Sequence, residues 1–244
     1  MLGFPAWVFD IMLCLSAWSS TFAFGMLFKR IYPGQRFIQF VKDKFKNKLK
    51  FSVLLTVSMI QVFIFLLILF FVSNHSEVDS IFTKTSWGML IYFFFKTLLS
   101  GPLGEELGWR GFAQMELQKK YSPLQAAIIL GFWWGMWHLP IWFTTGYTGI
   151  DLIKYILFFM ITILSITIII AAFYNLNQNL IISIGIHQSF NFFIGIINEN
   201  LVDLMMYNAF LYLAAAVLLI IINPKKVLYG KGDTNINNGK HFMS

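Results

Sequence analysis

Charge is what this sequence has least of. Only 12% of the 244 residues are acidic or basic and 58% are hydrophobic, against roughly 25% and 45–50% in an average soluble domain. So little charge cannot cover that much apolar material in water, which excludes a soluble fold. Cysteine is equally scarce. The single thiol, Cys14, sits in the first apolar run with no partner in the chain, so there is no disulfide framework and it is read as a small core residue. Short repeats, low-complexity tracts and an H-E-x-x-H zinc-protease helix are also missing.

What is present is a series of apolar runs of about 20 residues, the length that crosses a ~30 Å hydrocarbon core. Backbone polar groups in lipid must pair within the chain, so the expected fold is all-α, a polytopic transmembrane helix bundle of about seven to eight spans. The runs fall at 6–28, 51–72, 87–112, 124–143, 152–174, 180–198 and 201–222. The first is read as a span, because no basic stretch precedes it, no A-x-A site ends it, and it is too long for a signal-peptide core. One membrane domain, residues 1–225, is expected, followed by a polar and disordered cytoplasmic tail, 226–244.

The net charge of +7 is distributed one-sidedly. Fifteen of the eighteen basic residues lie in alternate loops: the run from Lys29 to Lys50, then Arg110, Lys119 and Lys120, then Lys225, Lys226, Lys231 and Lys240. The opposite loops carry Glu77, Asp79, Asp151, Glu199 and Asp203, with Lys84 as their clear basic member. The positive-inside rule then predicts a multi-pass cell-membrane protein with its amino terminus outside and its carboxyl terminus in the cytoplasm. Topology accounts for the basicity, so the lipid bilayer and no nucleic acid is the expected partner. The segment 29–50 also holds Ile31, Phe37, Ile38, Phe40, Val41 and Phe45. Two readings of it stay open, an amphipathic helix lying on anionic lipid and a loop that merely sets orientation.

Ionisable groups inside a span cost several kcal/mol (~3 on insertion scales) and each needs a reason. The third span ends G-P-L-G-E-E-L-G-W-R-G-F, where Gly101, Pro102 and Gly104 interrupt the helix. Glu106 and Arg110 are four residues apart, on one helical face, and can neutralise each other. Glu105 is turned about 100° away without a counter-charge in its own helix, the setting of a general base or acid. The fourth span opens at Ser122-Pro123, an N-cap and first-turn pair, and carries Gly131 and Gly135 for close helix approach, then His138. In the sixth, His187 and Asn191 share a face one turn apart, as a donor pair for an oxyanion would.

These residues resemble the CAAX prenyl protease and bacteriocin-processing (CPBP, or Abi) family of intramembrane proteases, whose motifs are E-E-x-x-x-R, F-x-x-x-H and H-x-x-x-N. They occur here in order as Glu105-Glu106 to Arg110, Trp134 to His138, and His187 to Asn191, covering 101–191. Trp134 stands where phenylalanine is usual and is read as an aromatic packing residue. The resemblance implies that Glu105 activates a water with help from His138, that His187 and Asn191 stabilise the oxyanion, and that Glu106 and Arg110 support the site. It leaves a divalent metal open: Glu105, His138 and His187 are the residues that would hold zinc, although a carboxylate-activated water needs none. The implied substrate is a peptide or membrane-anchored protein.

Two other readings compete: a non-catalytic immunity or scaffold protein of the same fold, and a proton-coupled transporter. A transporter should show broken helices in paired halves, and the sequence has one broken region, at 101–104. Depth sets a further condition. Counted from the expected cytoplasmic ends, Glu105 and His187 lie about 11 Å deep, while His138 is about 24 Å from Ser122. They meet only if the fourth helix starts in the cytoplasm or tilts, and the first is expected.

Overall fold

The computed structural model describes residues 6–75, 86–223 and 226–229. Among them all regular structure is helical, and the molecule is a helical bundle as the apolar runs predict. In chain order the elements are α1 (Ala6–Ala17), α2 (Ser19–Ile31), α3 (Phe37–Asp43), α4 (Phe51–His75), α5 (Trp87–Leu99) and α6 (Pro102–Glu106). From there the chain continues as a π-helix (Leu107–Gln114) and α7 (Met115–Gln118). The remainder are α8 (Pro123–Trp137), α9 (Leu139–Trp142), α10 (Gly149–Asn177), α11 (Leu180–Gly195) and α12 (Leu201–Ile222).

Four segments are long and apolar enough to cross a membrane, 10–31, 51–74, 149–177 and 201–222, with α11 a shorter apolar helix. The expected third and fourth spans are not single helices. Pro102 has no N–H to donate and ends α5, and α8 stops at Trp137 with His138 as its last cap. The first span continues through the α1–α2 junction at Trp18, whose N–H donates to the Cys14 carbonyl and whose carbonyl accepts from the Phe22 N–H.

The longest helix, α10, is the centre, packed against α12, α8, α11 and α4. Its polar residues are disarmed locally: the hydroxyls of Thr162, Ser165 and Thr167 each donate to the carbonyl four residues back. Gly131 on α8 lets that helix approach closely, since a Cβ there would lie 3.2 Å from the Leu164 Cα of α10.

The basic turns gather at one end. The Lys44 carbonyl accepts the Leu180 N–H, Asn177 Oδ1 accepts the Lys50 N–H, and the Leu228 carbonyl accepts the Leu124 N–H. Leu228 is fully buried in the main apolar core. The packed structure therefore runs past the boundary expected at 225, because the turn after α12 supplies a backbone acceptor to the start of α8; residues 230–244 lie outside the described residues. Of the two readings of 29–50, the helix α3 is real, but Phe37 and Phe40 pack on Phe24 and Phe28 of α2, leaving Ile38 as its exposed apolar residue. The phenol of Tyr32, just after α2, donates to Glu116 on α7.

Candidate active site

Three helices converge on the Glu105–Glu106 pair. The helix that starts at Pro102 does not end near Phe112 as the sequence suggests. It passes through the π-helix, which opens after Glu106 and contains Arg110, and ends at Gln118. Isolated π-helical turns inside α-helices are rare and concentrate at functional sites. The added length removes the depth conflict. Glu105 lies about 20 Å from the Gln118 end and Trp134 about 18 Å from Ser122, so the two face each other across an antiparallel hairpin. The Ser122 capping box fixes the start of α8, with Ser122 Oγ accepting from the Gln125 N–H and Gln125 Oε1 accepting from the Ser122 N–H.

The third helix, α11, runs antiparallel to the α6–π segment, and three contacts give the register. Gly111 lies against Leu180, Glu106 meets His187, and Gly101 lies against Asn191. A Cβ at Gly101 would sit 2.8 Å from Asn191 Nδ2 and 3.1 Å from the Thr97 carbonyl, so glycine lets this asparagine lie close against the helix break. On its other side α11 is tied to α5 by Gln188, whose amide donates to the Phe94 carbonyl and to Thr97 Oγ1, 2.9 Å each.

The two carboxylates have different surroundings. Glu106 is fully buried, and its Oε1 accepts from Arg110 Nη1 and from His187 Nδ1, both at 2.8 Å. The Arg110 guanidinium lies over the Trp134 ring, 4.0 Å from the centroid, with Nη2 3.5 Å from Thr167 Oγ1 of α10. Glu105, 3% exposed, takes one hydrogen bond, from Trp134 Nε1 to Oε2 at 2.7 Å, which leaves Oε1 without a protein partner among the described residues. Trp134 is thus a hydrogen-bond donor to the candidate base and not simply the packing residue the sequence reading made it. A buried indole N–H in lipid needs an acceptor, which is the signal that was available.

His138 donates from Nδ1 to the Trp134 carbonyl at 2.7 Å, and His187 donates from Nδ1 to Glu106. Among the described residues no hydrogen bond engages Nε2 of either imidazole. The rings sit edge-on to the Trp134 indole, at 5.7 Å for His138 and 4.9 Å for His187. His138 and Asn191 are half-buried, whereas His187 is buried; Asn191 makes no side-chain hydrogen bond among the described residues. Buried polar atoms without a partner there include Glu106 Oε2, Arg110 Nε and both amide atoms of Gln114. The unpaired Glu106 Oε2 and Arg110 Nε, on the two partners of the ion pair, are a setting suited to bound water.

The zinc set left open by the motifs is Glu105, His138 and His187. Among the described residues no group of three His, Cys, Asp or Glu side chains is placed to hold a metal ion. The Nδ1 atoms of His187 and His138 are engaged by Glu106 and by the Trp134 carbonyl.

A buried acid, a bracing ion pair and two imidazoles thus meet at the crossing of these helices. Residues 86–193 match the family model described as type II CAAX prenyl endopeptidase, Rce1-like. The chain is also 34% identical over 143 residues to CAAX prenyl protease 2 of Methanococcus maripaludis, an alignment covering 55% of this chain and 51% of that protein. Over this segment the chain is similar to the CAAX prenyl proteases, the family whose three motifs it carries. The chain spans about half the length of this curated relative.

Proposed function

We propose that the protein is an intramembrane endopeptidase of the CAAX-protease type that hydrolyses a peptide bond in a membrane-associated peptide or protein. The observation that carries the reading is the asymmetry of the carboxylates: Glu106 is saturated by Arg110 and His187, while Glu105 is aimed by Trp134 with one oxygen left over. Water held at that oxygen attacks the scissile carbonyl as Glu105 takes its proton, with His138 Nε2 orienting it. The tetrahedral oxyanion is stabilised by His187, whose ring Glu106 orients through Nδ1, and by the Asn191 amide. Glu105 then returns the proton to the leaving amine as the C–N bond breaks. Glu106 and Arg110 hold the helices in register.

The name of the archaeal relative makes prenylated carboxyl-terminal peptides the first substrates to assay, and bacteriocin-type precursor peptides the second. Water and substrate enter from the cytoplasmic side, which is the end where the basic turns gather, and the amino terminus faces outside. The test is cleavage by purified protein in detergent, comparing wild type with Glu105→Gln and Glu105→Ala. Both variants should express and unfold as wild type does yet lose cleavage; full activity in either removes Glu105 as the base. Chelator treatment separates the two water-activation schemes, since activity lost and then restored by zinc requires a metal. Wild-type protein that cleaves nothing in a substrate panel, while still protecting cells against a toxic peptide, would support the immunity reading instead.

A further inference from the structure

The broken third span creates a defect that a distant part of the chain repairs. With α5 ended at Leu99 and Pro102 lacking an N–H, carbonyls at the end of α5 have lost their helical donors. The Leu99 carbonyl is capped by the indole of Trp18, whose Nε1 donates to it at 3.0 Å. The same indole covers Gly104, where a Cβ would lie 2.7 Å from Trp18 Cδ1. One residue on, the Glu105 carbonyl accepts from Ser20 Oγ at 3.3 Å, and one turn further Gly108 lies against the Ser20 backbone, where a Cβ would come within 2.7 Å. The junction of α1 and α2 falls at Trp18, so the break after α5 is seated against that junction.

We infer that Trp18 is a positioning residue for Glu105: it caps the Leu99 carbonyl and, lying over Gly104, fixes the backbone from which the Glu105 side chain reaches Trp134. Glu105 is then held at its backbone by the first span and at its carboxylate by the fourth. Trp18 lies outside residues 86–193, the part matched by the family model. The inference rests on the reading of Glu105 as the base. Its consequence is catalytic because small misplacements of a reacting group are costly, as much as ~10²-fold for about 1 Å.

Two experiments test it. In the first, Trp18→Phe, which keeps a ring and removes the N–H, and Trp18→Ala are assayed with a cleaved peptide. The expected result is kcat lowered about tenfold in Trp18→Phe and further in Trp18→Ala, with KM within about twofold of wild type. Folded variants that retain wild-type kcat overturn the inference, as does a loss expressed only in KM. The second needs no activity. Gly104→Ala is introduced into wild type and into Trp18→Ala, and thermal unfolding is followed in detergent. The alanine should lower the midpoint in wild type and cost much less without the indole; equal losses in both backgrounds overturn the contact. If Glu105→Gln stays active while this cycle shows coupling, the base assignment has failed and the Trp18 contact has not.

Discussion

The segment from α5 through the π-helix and the helix α10 solve the problem of polar groups in lipid in opposite ways. In α10 the backbone is regular over 29 residues and its buried hydroxyls donate to their own helix, so polarity is neutralised within the element. The α5–π segment is interrupted at Gly101–Pro102 and widened after Glu106, and its polar side chains look outward to α8, α10 and α11 for partners. Irregular backbone at membrane depth survives where protein covers it. Here the cover consists of the side chains that make the site, and Thr167 is the one hydroxyl of α10 that also faces across, to Arg110.

Breaking that cover should have the largest effect. Arg110→Met leaves Glu106 buried with only His187 beside it, and the expected loss is about 3–5 kcal/mol, enough to abolish folded protein. Thermal unfolding and yield after extraction will show it, and a variant of wild-type stability would mean that the ion pair does not hold the helices. A smaller effect is expected where α8 meets the regular helix. Gly131→Ala pushes a methyl at the Leu164 Cα and should cost about 1–3 kcal/mol, whereas Gly135→Ala meets the flexible end of Met160 and should cost under about 1 kcal/mol. Reversal of that order in unfolding measurements would mean that α8 and α10 are not in this register.

Smaller again is Trp134→Phe, which removes the hydrogen bond to Glu105 and keeps the ring. Activity should fall about tenfold with folding intact, the equivalent of one hydrogen bond to a charged group. Undiminished activity would return Trp134 to a packing role. The effect at the basic end is one of pH. Burial outweighs the attraction of Glu116 and lowers Lys44 from 10.5 to about 8. Between those values the unfolded chain binds more protons than the folded one, so stability should rise with pH across this window, the cost of the buried charge being fully present below it. Lys44→Met should remove that slope, as unfolding midpoints measured against pH will report.

Much of this was legible in the residues themselves. Run length predicted the helical membrane bundle, the four-residue spacing of Glu106 and Arg110 predicted their ion pair, and the three motifs marked the six polar residues of the candidate site. Other features were not legible because they depend on register between helices far apart in the chain. The pairing of His187 with Glu106 spans 81 residues, and that of Trp18 with Leu99 spans 81 as well. The continuation to Gln118 was hidden because Arg110, Lys119 and Lys120 read as one basic loop, whereas Arg110 is fully buried and only the two lysines are exposed. Leu228 was assigned to a tail because its neighbours are polar, yet its carbonyl caps the start of α8.

The sequence by itself determined that these helices live in a membrane and that Glu105, Glu106, Arg110, His138, His187 and Asn191 must find company there, because desolvated polar groups cannot stand alone. Which partner each one found was decided only by the tertiary structure. Hydrogen bonds reach about 3 Å, so the choice between Glu105 and Glu106 as the partner of His187 turns on the rotation and depth of three helices, which no local pattern encodes.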